Sequence, residues 1–495
     1  MPLDILPPPP PAARAPLIML AVIIAVVGIW HALTIRPGHD WGDDFAMYIQ
    51  HAKNIATGVD YQSSHFIYNP TYPMQPPSYP PLLPVLLAPV YRLVGLDLDA
   101  MKRALIPVFL ASLVAFAALW RNRLTPWGLV AAVAVVGFNP YFWSFKDNIL
   151  SDVPFLLFTS LALLAADHAG RQPRPRARDG LLVAAAVCLA YGARTAALVL
   201  IPTVIGYDLV RWRRLTWLSG CTVLLVAALV LVQRLTLGAL GSALLFDPRP
   251  AVVANNALRY AAAFGVPWWN GVNLALSAAL MAAIVGLAAI GYVLAWRRVA
   301  SVDLFVPLYS LLILAWGAFQ GTRFLIPLIP FAVGYAFMAI DSLQRLGRPR
   351  LRQGLLAALL IAVTLSYAGR YTHLDFGPLQ RGIGAPQTVA LFGFLREATP
   401  DDAVIAFITP RAAALFTERW STAFGAMPDD REFLASLARQ GVTYLVIGPP
   451  DLEPQSQADA RRAVQRHAAC FEVAYQNADF SVYRVALQRP GCQAG

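Results

Sequence analysis

The chain has 495 residues, of which 58% are hydrophobic and 14% are charged, and its formal net charge at pH 7 is +11. Soluble proteins are roughly 45–50% apolar and about 25% charged. Together with a mean hydropathy of +0.55, the composition excludes an ordinary soluble protein and predicts a polytopic α-helical membrane protein. The basic residues form short clusters between apolar segments, which is typical of membrane topology and does not indicate a nucleic-acid partner.

The N-terminal segment 1–16, MPLDILPPPPPAARAP, is rich in proline, and we expect a disordered cytoplasmic tail. The apolar segment that follows is long enough to remain as a membrane helix, and no cleavable signal peptide is evident. Apolar segments of about 20 residues predict about eleven membrane helices in a membrane domain spanning 17–370. They lie near 17–35, 100–120, 126–143, 152–168, 180–192, 195–210, 215–236, 273–296, 303–319, 324–343 and 353–370.

The positions of the basic clusters predict the orientation of these helices. With a cytoplasmic N-terminus and eleven spans, all five clusters fall on the cytoplasmic side, as the positive-inside rule requires. The first loop, about 36–99, and everything after about 371 are then outside. The clusters are Arg121 with Arg123, RQPRPRAR (171–178), RWRR (211–214), Arg297 with Arg298, and RLGRPRLR (345–352).

The last segment, 371–495, changes composition and predicts a small extracytoplasmic α/β domain. Four short stretches rich in β-branched and aromatic residues predict strands: DAVIAFI, VTYLVIG, FEVAYQ and FSVYRVAL. The turn at 477–479 joins the last two as a hairpin, and DREFLASLARQ predicts a helix. Cys470 and Cys492 flank the hairpin, so a disulfide between them is expected if this region is exported.

The first loop begins with a concentration of negative charge, HDWGDDFAMYIQHAKNIATG (39–58). Its periodicity predicts a helix on which Asp44, Tyr48 and His51 share one face. A structural interpretation is that Asp43 or Asp44 caps this helix, since carboxylates stabilise a helix start. A functional role is compatible with capping, and both alternatives stay open.

Three further charged residues lie at predicted outer boundaries of membrane helices. Asp152 opens a span in LSDVPFLLF, where capping is again the structural alternative. Arg194 in LAYGARTAALVL and Arg323 in FQGTRFLIPLIP depart from the positive-inside pattern. Snorkelling or pairing with an aspartate would explain both arginines, and binding of an anionic phosphate at the outer leaflet is the functional alternative.

These stretches, in this order, resemble motifs of the GT-C glycosyltransferases, which include protein O-mannosyltransferases and the aminoarabinose transferase of lipid A. GDDFAMYIQHAKNIATG is similar to the family's acidic motif, with its later tyrosine, after the first helix. YPPLLPVLLAPVY is similar to the proline-rich segment after it, and LSDVPFLLF to the second acidic motif. RTAALVLIP and RFLIPLIP are similar to two further recurring patterns.

The resemblance implies a sugar donor carried on a polyprenyl phosphate, and a lipid, glycan or protein acceptor, at the outer face of a bacterial cytoplasmic membrane. The sugar would be a hexose or a pentose, transferred by direct displacement with inversion. Asp43 is then the expected base and Asp44 its catalytic partner. Tyr48 and Asp152 would bind substrate, and Arg194 and Arg323 the phosphate. Some members of the superfamily need a divalent metal and others do not. Asp44 and Asp152 could hold such a cation, Mg²⁺ or Mn²⁺.

Two alternatives of other classes remain from the sequence. A polytopic transporter or lipid flippase would also be apolar and basic, although such proteins usually contain internal repeats and interrupted helices near the midplane. An outer-face glycan ligase would use a lipid-linked donor that carries a preassembled chain. The size of the transferred group separates a ligase from a transferase of single sugars.

Overall fold

The computed structural model describes residues 14–72, 76–237, 246–488 and 492. Up to residue 371 this part of the chain is mostly helical. Its α-helices, in chain order, are α1 Arg14–Leu33, α2 Asp44–Thr57, α3 Leu82–Val94, α4 Leu98–Trp120, α5 Pro126–Gly137, α6 Pro140–Phe145, α7 Asp152–Ala169, α8 Ala177–Ala193, α9 Leu200–Trp212, α10 Trp217–Leu237, α11 Pro250–Ala263, α12 Leu274–Ala295, α13 Ser301–Leu314, α14 Leu328–Arg345 and α15 Pro349–Tyr371.

Each of the eleven predicted spans overlaps a helix of the structure. Within the described part of the chain, seven helical segments are long and apolar enough to cross a membrane: those beginning at residues 14, 98, 152, 195, 217, 274 and 349. The chain is therefore a multi-pass membrane protein, and the number eleven stays a prediction. Residues 1–13 of the predicted tail lie outside the described residues, and Arg14–Pro16 already belong to α1.

The third predicted span, 126–143, is divided into α5 and α6. Asn139 accepts a hydrogen bond from the backbone N–H of Tyr141, and Pro140 occupies the first helical position, so a new helix begins there. The ninth predicted span ends early, at Leu314, and the tenth begins late, at Leu328. A short 3₁₀ helix, Gly321–Leu325, lies between them and contains Arg323.

The helices after α3 pack in pairs around a continuous apolar core. α7 packs against both α4 and α8, and α12 runs along α14. The last pair is close because Gly291 of α12 faces the backbone of Tyr335, where any side chain would collide with the carbonyl oxygen. The start of α7 and the end of α8 lie beside the segment that follows α13, where Arg323 contacts Asp152 and Arg194 pairs with the same carboxylate.

After α15 the chain forms an α/β layer with helices α16 Pro386–Ala398, α17 Pro410–Thr417, α18 Asp430–Arg439 and α19 Pro454–Arg466. Each of the four predicted strand segments contains a strand, and the hairpin at 477–479 is present. The strands of its sheet are β1 Phe66–Ile67, β2 Val404–Ala406, β3 Trp420–Thr422, β4 Tyr444–Ile447, β5 Phe471–Gln476 and β6 Ser481–Val485. They lie in the order β1-β3-β2-β4-β6-β5.

One strand of this sheet comes from the first loop. β1 pairs in parallel with β3, with Phe66 opposite Ser421. The carboxamide of Asn69 donates to the carbonyl of Ala423 at 2.8 Å, and Lys53 of α2 pairs with Glu418 at 2.9 Å. The C-terminal layer is therefore joined to the first loop by backbone and side-chain bonds, which the prediction of a separate domain at 371–495 did not include.

Candidate functional site

Asp43 immediately precedes α2, but its side chain makes no capping bond to that helix. Its carboxylate instead accepts from the backbone N–H groups of Ala412, at 3.0 Å, and Arg411, at 3.4 Å. Both donors belong to the first turn of α17, where unpaired N–H groups attract an anion. The capping interpretation thus holds for a different helix, one contributed by the C-terminal layer.

Asp44 points to other partners. One carboxylate oxygen accepts from Nη1 of Arg323 at 2.6 Å, and the other from the hydroxyl of Tyr79 at 2.5 Å. Nη1 of Arg411 lies 3.4 Å from that second oxygen. The two adjacent aspartates therefore have different partners: Asp43 is bound by the start of α17, whereas Asp44 is bound by Arg323 and Tyr79 and also contacts Arg411.

The second acidic motif meets the first through an arginine. Nε of Arg323 donates to Asp152 at 2.7 Å, so its guanidinium bridges Asp152 and Asp44. Arg194, at the end of α8, pairs with the other oxygen of Asp152. The pairing of both arginines with aspartates, one of the sequence alternatives, is thus present in the structure.

Tyr48 follows Asp44 by one helical turn and fixes α2 against the start of α7. Its hydroxyl lies 2.8 Å from the hydroxyl of Ser151, and its ring stacks on Tyr79 with centroids 4.7 Å apart. His51, the third residue of the predicted face, bonds the carbonyl of Tyr61 through Nδ1 and accepts from the backbone N–H of Tyr79 through Nε2. All three residues of the predicted helical face therefore contact Tyr79.

A cavity opens beside these residues. Four of the six predicted site residues line it: Asp44, Tyr48, Arg194 and Arg323. Asp43 and Asp152 are not part of the lining; their side chains are 9% and 3% exposed, against 27% for Asp44. The remaining wall combines the first-loop segment around Tyr79 with apolar side chains of α13 and the segment after it, including Tyr309, Leu312, Ile313, Trp316 and Phe324. The cavity thus has a cationic end and an apolar wall.

The two adjacent aspartates differ in acidity. Burial raises the pKa of Asp43 to about 7, although the Arg411 guanidinium opposes this. Burial also acts to raise the pKa of Asp44, but Arg323 and Arg411 outweigh it and hold that pKa well below the usual range. Asp44 is therefore a permanent anion, whereas Asp43 exchanges its proton near neutral pH.

The alternative in which Asp44 and Asp152 hold a divalent cation does not fit this arrangement of charges. Among the described residues, no three His, Cys, Asp or Glu side chains lie together as a set of metal ligands. Asp44 and Asp152 already share the guanidinium of Arg323, and Arg194 adds a second positive charge. A divalent cation placed between the carboxylates would be repelled by both arginines. We therefore assign no step to a metal.

Arg411 and Tyr79 belong to the site but were not identified from the sequence. Tyr79 lies in the proline-rich stretch YNPTYPMQPPSYPP, where membrane-belt aromatics are the ordinary expectation. Arg411 follows a Thr-Pro pair in the C-terminal region, where an arginine at a helix start is usually exposed. Its side chain is only 1% exposed, and this burial is the signal that marks it.

A disulfide joins Cys470 and Cys492 in the structure, so this covalent link closes the end of the β5–β6 hairpin. Cys188 and Cys221 are free thiols in the membrane helices. The disulfide lies in the C-terminal layer, outside the cavity described above.

No family model and no curated protein sequence matches the chain. Solved structures do match. The crystal structure of ArnT from Cupriavidus metallidurans bound to undecaprenyl phosphate is 14% identical, with a TM-score of 0.56 over 95% of this chain and 98% of that one. The Archaeoglobus fulgidus oligosaccharyltransferase in complex with Zn and sulfate is 12% identical, with a TM-score of 0.59 over 95% and 73%.

A third similar structure is the mycobacterial arabinofuranosyltransferase AftD, 14% identical, with a TM-score of 0.52 over 97% of this chain and 42% of that one. All three are glycosyltransferases of the GT-C superfamily. At these identities the likeness establishes a shared fold. The resemblance to GT-C enzymes inferred from short motifs is therefore confirmed at the level of fold across nearly the whole chain.

Proposed function

We propose that the chain is an integral membrane glycosyltransferase that moves one sugar from a polyprenyl phosphate to an acceptor hydroxyl. The reaction would take place at the outer face of a bacterial cytoplasmic membrane, by direct displacement with inversion. The N-terminus would be cytoplasmic, and the C-terminal layer and the first loop extracytoplasmic. The observation that carries this proposal is the cavity, which has an arginine-rich end and an apolar wall formed by helices at the membrane.

The charge of the site favours an anionic ligand. Among the charged residues that line the cavity, Asp44 is the acid, and Arg194 and Arg323 supply two guanidinium groups. A phosphate monoester or diester bound at Arg194 and Arg323 would neutralise the excess and use the bidentate geometry that arginine offers. The apolar wall would take the first part of a prenyl chain.

The different partners of Asp43 and Asp44 suit an inverting displacement. In such a reaction the nucleophile and the leaving group occupy opposite sides of the anomeric carbon. Asp44 lies on the side of the arginines, where the phosphate would leave. Asp43 lies towards the C-terminal layer, from which an acceptor would approach.

The proposed reaction is a single displacement at the anomeric carbon. Asp43 takes the proton of the acceptor hydroxyl, whose oxygen forms a bond to the anomeric carbon while the bond from that carbon to the phosphate oxygen breaks. Arg194 and Arg323 stabilise the negative charge that develops on the departing polyprenyl phosphate. A carboxyl with a pKa near 7 is suited to this work, because about half of it is ionised at neutral pH and it is more basic than an ordinary carboxylate.

Relatives of similar fold support the donor class. The Cupriavidus ArnT structure contains bound undecaprenyl phosphate, and an Archaeoglobus oligosaccharyltransferase structure contains a dolichol phosphate and an inhibitory peptide. We extend to this chain only the shared part, a lipid-linked donor. The sugar, a hexose or a pentose, and the acceptor class are to be found by experiment.

The test uses the purified protein in lipid nanodiscs with a panel of undecaprenyl-phosphate-linked hexoses and pentoses. Mass spectrometry should detect undecaprenyl phosphate and a product heavier by one sugar, and envelope glycans of cells lacking the protein should lack that residue. Arg323→Gln is the matched inactive variant. Transfer of a preassembled chain would favour the ligase, and movement of an unaltered donor across proteoliposomes would favour the flippase; either result contradicts the proposal.

A further inference from the structure

Arg411 is the deepest cation of the site. It occupies the first turn of α17, directly after Pro410, and its side chain is 1% exposed. Its guanidinium donates to the hydroxyl of Tyr79 at 2.8 Å and to the carbonyl of Pro76 at 2.5 Å. The rings of Phe66 and Tyr79 lie 5.2 and 5.0 Å from its central carbon. Burying a guanidinium is costly unless anions compensate it.

Two anions are present, and they are the two adjacent aspartates. Nε of Arg411 lies 3.8 Å from the carboxylate of Asp43, and Nη1 lies 3.4 Å from that of Asp44. The backbone N–H of Arg411 also donates a hydrogen bond to the carboxylate of Asp43. One residue of the C-terminal layer thus contacts both acids.

A purely structural role would make Arg411 a tie between the C-terminal layer and the first loop. Other groups already make that connection: the β1–β3 pairing, the Asn69 bond to Ala423, and the pair of Lys53 with Glu418. None of these three contacts Asp43 or Asp44. They provide controls in which the tie is weakened and the acids are left untouched.

We propose that Arg411 is a positioning residue, which holds Asp43 and Asp44 in separate orientations and assigns them separate roles as proton acceptor and permanent anion. This inference rests on the proposed function above. Arg411 would not touch the reacting atoms; it would act through the two aspartates. The C-terminal layer would then be a component of the active site.

The electrostatics of Asp43 give the proposal a measurable consequence. The groups facing Asp43 are Asp44 on α2, Arg411 with the N–H of Ala412 on α17, and Tyr72 on the first loop. Among them Arg411 is the cation, and it lowers the pKa of Asp43 against the effect of burial. Loss of a neighbouring cation raises a carboxyl pKa by about 1–3 units, so a neutral residue at 411 should move the acid limb of the rate profile upward.

The experiment compares the pH dependence of kcat/KM for the wild type, Arg411→Lys, Arg411→Met and the control Lys53→Met. We expect an acid limb near pH 7 in the wild type and in Lys53→Met. Arg411→Lys should keep the acid limb near its place but lower the plateau of kcat/KM about tenfold or more, because a lysine ammonium cannot reproduce the paired donors of the planar guanidinium. Arg411→Met should move the limb upward by at least about one unit. Binding of undecaprenyl phosphate, measured separately, should persist in both variants.

Two outcomes overturn the inference. If Arg411→Met lowers activity while its limb stays with that of Lys53→Met, Arg411 is only a structural tie. If Arg411→Lys abolishes undecaprenyl phosphate binding, Arg411 is a ligand of the phosphate. If Arg411→Met fails to fold, Arg411→Lys decides alone. A plateau of kcat/KM in Arg411→Lys equal to that of the wild type would then contradict the proposal.

A second measurement separates this inference from the proposed function. The melting temperature of the protein should change with pH through the titration of Asp43, and the midpoint of that change should rise in Arg411→Met. This readout needs no substrate. A wild type that transfers no sugar, yet has this coupling, would contradict the proposed function and keep the link between Arg411 and Asp43.

Discussion

Two clusters of buried acid and arginine occupy opposite ends of the same helices, and they are built differently. At the far end, Arg123 donates to both oxygens of Asp303, at 2.8 and 2.6 Å. Tyr335 and the backbone N–H of Ala300 complete the bonding of that carboxylate. We call this the far-end cluster; one acid meets one arginine, and the acid is fully buried.

The cavity cluster, formed by Asp43, Asp44, Asp152, Arg194, Arg323 and Arg411, shares its partners instead. Arg323 serves two carboxylates, and Asp44 meets two arginines. Arg194 and Arg323 line the cavity together with one acid, Asp44, and four of the six side chains predicted for the site border open space. Buried ion pairs alone therefore do not identify a site, since both ends contain them. An excess of charge of one sign among the residues that line a cavity is what distinguishes the site.

The largest expected effect concerns the membrane orientation of the two clusters. The proposed function requires the cavity cluster and the C-terminal layer to face the extracytoplasmic side. A reporter active only outside the cytoplasm and fused after Gly495 should be active, and a cytoplasmic reporter at the same place should be silent. The reverse pattern would move the site to the side where nucleotide sugars are supplied, and it would contradict the donor class proposed.

A substitution at each end of the helices should separate function from stability. Arg323→Gln removes the bridge between Asp44 and Asp152 and should lower transfer by about 10²–10³-fold. Arg123→Gln leaves Asp303 without its arginine and should cost about 3–5 kcal/mol of stability, while activity per folded molecule persists. Melting curves and transfer rates of both variants check this. Equal losses of activity at both ends would remove the distinction between the clusters.

The acidity of Asp43 predicts a smaller, pH-dependent effect on stability. Its pKa of about 7 in the folded protein exceeds the ordinary value of 3.8. The folded state therefore binds more protons than the unfolded state between these values, and stability falls as pH rises through that window. Asp43→Asn should melt at a higher temperature than the wild type at pH 8, and the difference should shrink towards pH 4. An Asp43→Asn variant that is less stable than the wild type at pH 8 contradicts the assignment.

The smallest effect on activity is expected at the disulfide, which lies in the C-terminal layer outside both clusters. Cys470 and Cys492 should resist thiol labelling until they are reduced. Replacing both by serine should lower the melting temperature and leave transfer near the wild-type rate. Free labelling of both cysteines in the oxidised, folded protein would contradict the bond and leave the proposed chemistry unaffected.

The sequence predicted those parts of the site that depend on local periodicity. Asp44 and Tyr48 share a helical face because they are four residues apart, and both line the cavity. Hydropathy located the helices that bring Asp152 and Arg323 to the same boundary. It overlooked the break at Asn139–Pro140, although an Asn-Pro pair is an ordinary signal for a new helix start.

The contribution of Arg411 could not be predicted in this way. It lies 367 positions from Asp44 in the sequence, and the contact depends on β1 joining the C-terminal sheet. A two-residue strand has no periodicity to detect. The different directions of Asp43 and Asp44 were also hidden, since the turn of about 100° between adjacent helical residues decides which of them faces the cavity.

The most direct test of the account is the transfer rate of Asp43→Asn, measured at equal expression with saturating polyprenyl-linked donor. Asparagine keeps the size of the side chain and an oxygen for the N–H groups of α17, but it cannot take a proton. We expect normal insertion and a loss of about 10²–10⁴-fold for Asp43→Asn, a smaller loss for Asp44→Asn, and the smallest for Asp40→Asn, because Asp40 lies outside the motif GDDFAMYIQHAKNIATG. Full activity in Asp43→Asn would reject it as the base, and full activity in Asp43→Asn, Asp44→Asn and Asp152→Asn alike would contradict the proposed catalytic site.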